Sequence, residues 1–120
     1  MFSIEYYTHN NKCPILDFLK SIPKKDAAKI LKEIELLEEF GLALGMPHIK
    51  KMAGSKNLWE LRIKQSTNNY RIFYFTMHNH TIVLLNAFLK KSQKTPYKEI
   101  QRALTYMHEY IERNDLNETQ

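Results

Sequence analysis

Between Leu58 and Pro96 the chain carries six cations: Arg62, Lys64, Arg71, Lys90, Lys91 and Lys94. Arginine presents a planar fork of donors that grips a phosphate in two places, and lysine adds a mobile point charge. Clustered on a stiff support, such groups hold a phosphate ester and neutralise charge growing on its oxygens. Cleavage of an RNA phosphodiester needs no metal when the neighbouring 2′-hydroxyl attacks the phosphorus. The protein must then align the attack, stabilise the phosphoryl oxygens and move two protons. A lysine crowded by other cations gives up its proton more readily and can act as a base, and a tyrosine can do the same once its own titration is shifted. The same cations equally suit a solvated basic surface that does no chemistry.

The support is written in the pattern between them. Leu58–Lys64, Tyr70–Phe75 and Thr81–Leu89 are rich in β-branched and aromatic residues. Ser66-Thr67-Asn68-Asn69 and His78-Asn79-His80 separate them as turns, which predicts an antiparallel three-strand meander. Alternation places Trp59, Leu61 and Ile63 inside, and Glu60, Arg62 and Lys64 outside. Arg71 opens its strand on the face of Phe73 and Phe75, where it can reach an open cleft. It can instead pair with a surface carboxylate such as Glu5, which would contribute little.

Other elements must frame this meander. Phe2, Ile4 and Tyr6 alternate with polar neighbours and predict a short strand. Ile15–Leu19 predicts a short helix ending near Pro23. Ser21 and Pro23 signal a longer helix with an apolar face of Ala27, Ile30, Leu31, Ile34 and Leu37. Lys24, Lys25, Lys32, Glu35, Glu38 and Glu39 form its solvated side, and Gly41 its C-cap. Gly45 to Asn57 reads as a loop holding Lys50, Lys51 and Lys56. Thr95 and Pro96 start a last helix buried through Ile100, Ala103, Leu104, Met107 and Ile111. Asn114 to Gln120 reads as a frayed polar tail. The expected fold is α+β, with a small antiparallel sheet, in one domain over residues 1–120. Helices can cover only part of such a sheet, so one face or rim stays open.

The bulk numbers narrow the class. A chain of 120 residues with 43% hydrophobic and 26% charged residues suits one globular domain rather than a disordered or membrane chain. A net charge of +5 and a pI near 9.3 favour polyanionic partners, nucleic acid or an acidic protein. The single cysteine, Cys13, excludes an internal disulfide, and Lys12 and Pro14 beside it do not suggest an activated thiol. The N-terminus shows no basic-then-apolar leader, and no stretch approaches a membrane span, so a cytoplasmic protein is expected. Asp17, Asp26 and Asp115 form no cluster for two-metal chemistry. His78 and His80 share a turn without a cysteine or acid nearby, a weak zinc signal. There is no glycine-rich phosphate loop and no nucleophile elbow. No cofactor is expected.

Several segments resemble one known group. Lys50-Lys51, Leu58-Trp59-Glu60-Leu61-Arg62, Tyr70-Arg71-Ile72-Phe73-Tyr74-Phe75 and Phe88–Pro96 followed by Glu99-Ile100 and Ala103 are similar to phage-derived Gp49-like proteins. That group belongs to the RelE/ParE toxin superfamily and includes many HigB toxins. The resemblance covers nearly the whole chain and implies a RelE-like fold. It implies the toxin of a type II toxin–antitoxin system: a metal-independent, ribosome-dependent endoribonuclease, or mRNA interferase, that inhibits translation. The implied partners are the ribosome, mRNA in its A site and a HigA-like helix-turn-helix antitoxin, with operator DNA reached only through that antitoxin.

In this resemblance Arg71 matches the superfamily's strand arginine and Arg62 a basic position on the preceding strand. Lys91 matches a position that is often arginine in the RelE branch, and Tyr97 falls where some members carry a tyrosine. These four are the implied catalytic set; Lys50, Lys51, Lys64, Lys90 and Lys94 are the implied RNA-binding set. Tyr97 also lies about two turns before Leu104 and can serve instead as a staple on the core. Glu60 departs from relatives that carry lysine on that face. His48, His78 and His80 match none of the histidines other HigB toxins use. Two rival roles share the features: a ParE-like inhibitor of DNA gyrase, and a non-catalytic phage module that binds RNA or protein.

Overall fold

The computed structural model describes residues 1–118. The strands are β1 (Ser3–Tyr6), β2 (Ile49–Lys51), β3 (Trp59–Gln65), β4 (Asn68–Met77) and β5 (Thr81–Lys90). The helices are α1 (Pro14–Ser21), α2 (Lys24–Phe40) and α3 (Tyr97–Glu118), with a 3-10 turn at Gly41–Leu44. One five-stranded sheet runs β1-β5-β4-β3-β2. The fold is α+β, as the pattern predicts.

The meander is antiparallel throughout β3, β4 and β5. Its first turn is tighter than expected, because Asn68 and Asn69 already belong to β4 and Ser66 takes a positive φ of 56°. The second turn lies at His78-Asn79-His80, with Asn79 and His80 at φ 68° and 54°. β1 joins β5 in parallel, so the sheet is mixed rather than wholly antiparallel. A parallel neighbour needs a crossover, here the entire intervening chain.

β2 was hidden in the expected Gly45–Asn57 loop. It pairs Ile49, Lys50 and Lys51 with Leu61, Glu60 and Trp59, so both lysines sit in a strand. Three residues, two of them lysine, are too few to show alternation, and lysine is a common edge-strand residue.

The sheet is covered on both faces. Ile15 of α1 and Ile30, Ile34 and Leu37 of α2 pack on Leu61, Ile63, Tyr70, Ile72 and Tyr74. Ala103, with Ile100, Leu104, Met107 and Ile111 around it, brings α3 onto Phe73, Phe75, Val83, Leu85 and Phe88. β4 is therefore buried on both sides at its centre.

The stripe of α2 differs from the expected one. Its buried residues are Asp26, Ile30, Glu33, Ile34 and Leu37, while Leu31 is 42% exposed. Asp26 is satisfied there by the Tyr70 hydroxyl and by Asn68 Nδ2 at 3.2 Å. Burial, then the bond to Asp26, raises the Tyr70 hydroxyl above its ordinary titration range.

The ends of the helices also depart in detail. The Ser21 hydroxyl donates to Phe18 O at 2.7 Å, closing α1 rather than capping α2. Gly41 ends α2 as predicted, with φ 56° and its N–H donating to Leu37 O. A Cβ there would stand 2.3 Å from the Phe2 ring, so glycine is what lets the start of the chain pack against this turn. The expected frayed tail from Asn114 is helical as far as Glu118, and Thr119 and Gln120 lie outside the described residues. Among the described residues no helix is long and apolar enough to cross a membrane.

Candidate nucleic-acid interface

Strand register assembles the site. Residues directly paired in a sheet share a face. One row across β2, β3, β4 and β5 is Lys50, Glu60, Phe73 and Asn86; the next is Arg62, Arg71 and Phe88; the third is Lys64, Asn69 and Lys90. α3 packs over β5 and β4 on this face. The charged residues crowd toward its β3 side.

Glu60 corrects the predicted inside–outside pattern. Its phase is the expected one, yet it is 2% exposed. Oε1 accepts from Arg62 Nε at 3.2 Å and faces Arg71 Nε at 3.5 Å. Oε2 faces the Thr95 hydroxyl at 3.5 Å. The Thr95 hydroxyl thus brings the segment after β5 up to the carboxylate that the arginine pair shares. Asn86 Nδ2 donates to Glu99 O at 3.2 Å and so anchors the first turn of α3 to β5.

Arg71 is held from several sides. One of its terminal nitrogens donates to Tyr70 O at 3.0 Å. Its Nε is buried and has no hydrogen-bond partner among the described residues, the Glu60 approach lacking the geometry. Burial pulls its guanidinium below the ordinary value, Glu60 opposes that shift and Arg62 adds to it. An arginine remains charged under such pressure. The expected alternative of a surface pair with Glu5 does not hold, because Glu5 accepts from the Tyr110 hydroxyl instead.

Two clefts meet at this arginine. The first, about 430 Å³, is lined by Asn69, Arg71, Lys90, Lys91, Ser92 and Gln93. The second, about 390 Å³, includes Lys29, Glu33, His48, Arg62, Lys64, Asn69 and Arg71. β2 pairs only with Trp59, Glu60 and Leu61. The second cleft lies along β3 beyond that pairing, where the Arg62 N–H donates to His48 O at 2.8 Å.

Of the residues the sequence points to, Arg71, Lys90 and Lys91 come together in the first cleft, and Arg62, Lys64 and Arg71 in the second. Lys50 shares the face of Glu60 and is exposed; Lys51 pairs with Trp59 and points the other way. Lys94 is exposed, and the Lys94 carbonyl accepts from the Ser92 hydroxyl at 3.0 Å. Tyr97 is 73% exposed at the first residue of α3, so it is not a staple on the core. It lines neither cleft.

Sequence reasoning missed Asn69, which was read as turn, Ser92 and Gln93, which were given no role, and the burial of Glu33 and Glu60. Glu33 had a signal: it stands three residues after Ile30 and four before Leu37, on the buried stripe. Among the described residues no group of three histidines, cysteines or acids is placed to hold a metal. What the arrangement can do is grip successive phosphates of a strand that passes from one cleft to the other.

Residues 17–108 match the family model described as phage derived protein Gp49-like, DUF891. No curated protein matches the chain significantly.

Proposed function

The chain belongs to the phage-derived Gp49-like family, and from that premise we propose that it is a HigB-type toxin that cuts mRNA on the ribosome. The family is associated with toxins of toxin–antitoxin systems. The observation that carries the reading is the placing of Arg62 against Arg71 over the buried Glu60, with Lys90 and Lys91 across an open cleft.

In this reading Arg71 clamps the phosphoryl oxygens of the scissile phosphate and Arg62 supports it. Lys90 and Lys91 hold the phosphate on the other wall. Lys64, Lys50, Lys51 and Lys94 attract the flanking strand. The substrate's 2′-oxygen attacks the phosphorus and the bond to the 5′-oxygen breaks. The 2′-hydroxyl proton passes to a base, and the departing 5′-oxygen takes up another, leaving a 2′,3′-cyclic phosphate and a 5′-hydroxyl. Tyr97, exposed and outside both clefts, is assigned one of these transfers from its match to the tyrosine that some members carry. No metal takes part. The protein works in the cytoplasm and is silenced by a helix-turn-helix antitoxin, through which alone it reaches operator DNA.

Toeprinting of purified programmed ribosomes tests the reading, with a gyrase supercoiling assay beside it. Cut mRNA at the A site with supercoiling intact is expected. Blocked supercoiling with intact mRNA would establish a ParE-like role instead. Neither effect, with no growth arrest on expression, would leave a binding module.

A further inference from the structure

The second cleft contains a feature that phosphate binding does not use. Glu33 on α2 is 7% exposed and lines that cleft. Lys29 Nζ holds its Oε1 at 3.0 Å, which fixes the carboxylate. Its Oε2 is buried and has no hydrogen-bond partner among the described residues; His48 Nδ1 stands 3.9 Å away, beyond hydrogen-bond reach. A buried acceptor without a donor is costly, and a ligand that supplies the donor recovers that cost.

The surroundings select the donor. Lys29, Arg62, Lys64 and Arg71 line the same cleft, so a further cation is repelled. A neutral N–H group attached to a polyanion meets both demands. We propose that the second cleft is a base-reading subsite in which the half-exposed His48 ring beside Oε2 turns aside and Glu33 accepts a hydrogen bond from the exocyclic amino group of a nucleobase. Asn69 and Arg71 belong to both clefts, so phosphates in the first deliver an adjoining nucleotide to the second.

Adenine, cytosine and guanine carry such an amino group. Uracil offers only a ring N–H between two carbonyl oxygens, which the carboxylate repels. Carboxylates serve as acceptors for base amino groups in other nucleic-acid interfaces. The subsite rests on the reading of the two clefts as an RNA site, and it adds which bases that site takes.

Fluorescence anisotropy with labelled hexanucleotides tests it. The oligomers are fully 2′-O-methylated, which blocks attack by the 2′-oxygen. The decisive pair is adenosine against purine riboside, the same ring without the amino group, with uridine and abasic oligomers alongside. Wild type is expected to bind the adenosine oligomer roughly tenfold tighter than the purine one. In Glu33→Ala, shown folded by thermal melting, the two should bind alike. The amino group is deleted on the ligand, so the wild-type comparison decides even if the variant fails to fold.

Wild-type affinities within about twofold of each other would overturn the subsite. So would a folded Glu33→Ala that keeps the gap, or no binding of any oligomer. Ribosome cleavage is scored separately. A chain that reads the amino group and does not cut keeps the subsite and loses the nuclease. A chain that cuts without the preference does the reverse.

Discussion

Arg62 and Arg71 stand directly opposite one another across β3 and β4, two positive side chains on one face of the sheet. Like charges so placed destabilise a strand pair. The Glu60 carboxylate, buried within reach of both, offsets that repulsion and fixes where the two guanidinium groups lie.

Removing that carboxylate should therefore cost more than a surface charge would. Deleting one partner of a buried ionic group typically destabilises by 3–5 kcal/mol. Arg62 keeps some contact with water, so Glu60→Ala is expected at the lower end, about 3 kcal/mol. Urea unfolding measures it. A loss under about 1 kcal/mol would mean that the arginines are held without Glu60.

Gly41 offers a test of how β1 is docked. Its φ of 56° and the Phe2 ring 2.3 Å from any added Cβ leave no room for a side chain. Gly41→Ala should lose more than about 1 kcal/mol, through backbone strain and displacement of Phe2. Thermal melting checks this, and an unchanged midpoint would show that the turn readjusts freely.

The sequence carried the meander because strands half-buried on a face advertise themselves by alternation, as in Trp59–Ile63, and because Ser66-Thr67 and His78-Asn79-His80 punctuate it. It carried α3 for a similar reason, through the spacing of Ile100, Ala103, Leu104, Met107 and Ile111. It could not show β2, since Lys50 and Lys51 read as loop until Glu60 and Trp59 pair with them. Nor could it show that Glu60 is buried, and at Glu33 the charge outweighed the signal of its place on the α2 stripe. Charge patterning treats a carboxylate as solvated, and only tertiary neighbours such as Arg62, Arg71 and Lys29 reverse that. The cation cluster was legible as residues, but not its grouping into two clefts that share Asn69 and Arg71.

Acid should loosen the end of α3. His9 Nδ1 donates to Glu109 Oε1 at 2.6 Å, and this bond chiefly holds the Glu109 carboxyl below its usual range, with burial opposing. A carboxyl depressed in the folded state contributes stability above its unfolded value, about 4.3. That stability is lost as pH falls through the folded value. Glu109 is partly exposed, so the contribution is small. His9→Ala should reduce stability at neutral pH and flatten its decline below about pH 4. Denaturant titrations at several pH values measure both. Parallel curves for the two proteins would remove His9 from the account.

The central claim is that Arg71 acts on the phosphate rather than merely pairing with Glu60. Single-turnover cleavage of mRNA on programmed ribosomes, with thermal melting of each variant, tests it most directly. A preorganised donor typically contributes roughly 3–4 kcal/mol to a transition state, so Arg71→Ala should slow cleavage about a hundredfold to a thousandfold while remaining folded. Arg71→Lys should recover only part, because a point charge cannot reproduce the two-pronged grip. A folded Arg71→Ala that cuts within about threefold of wild type, under roughly 0.7 kcal/mol, would contradict the assignment.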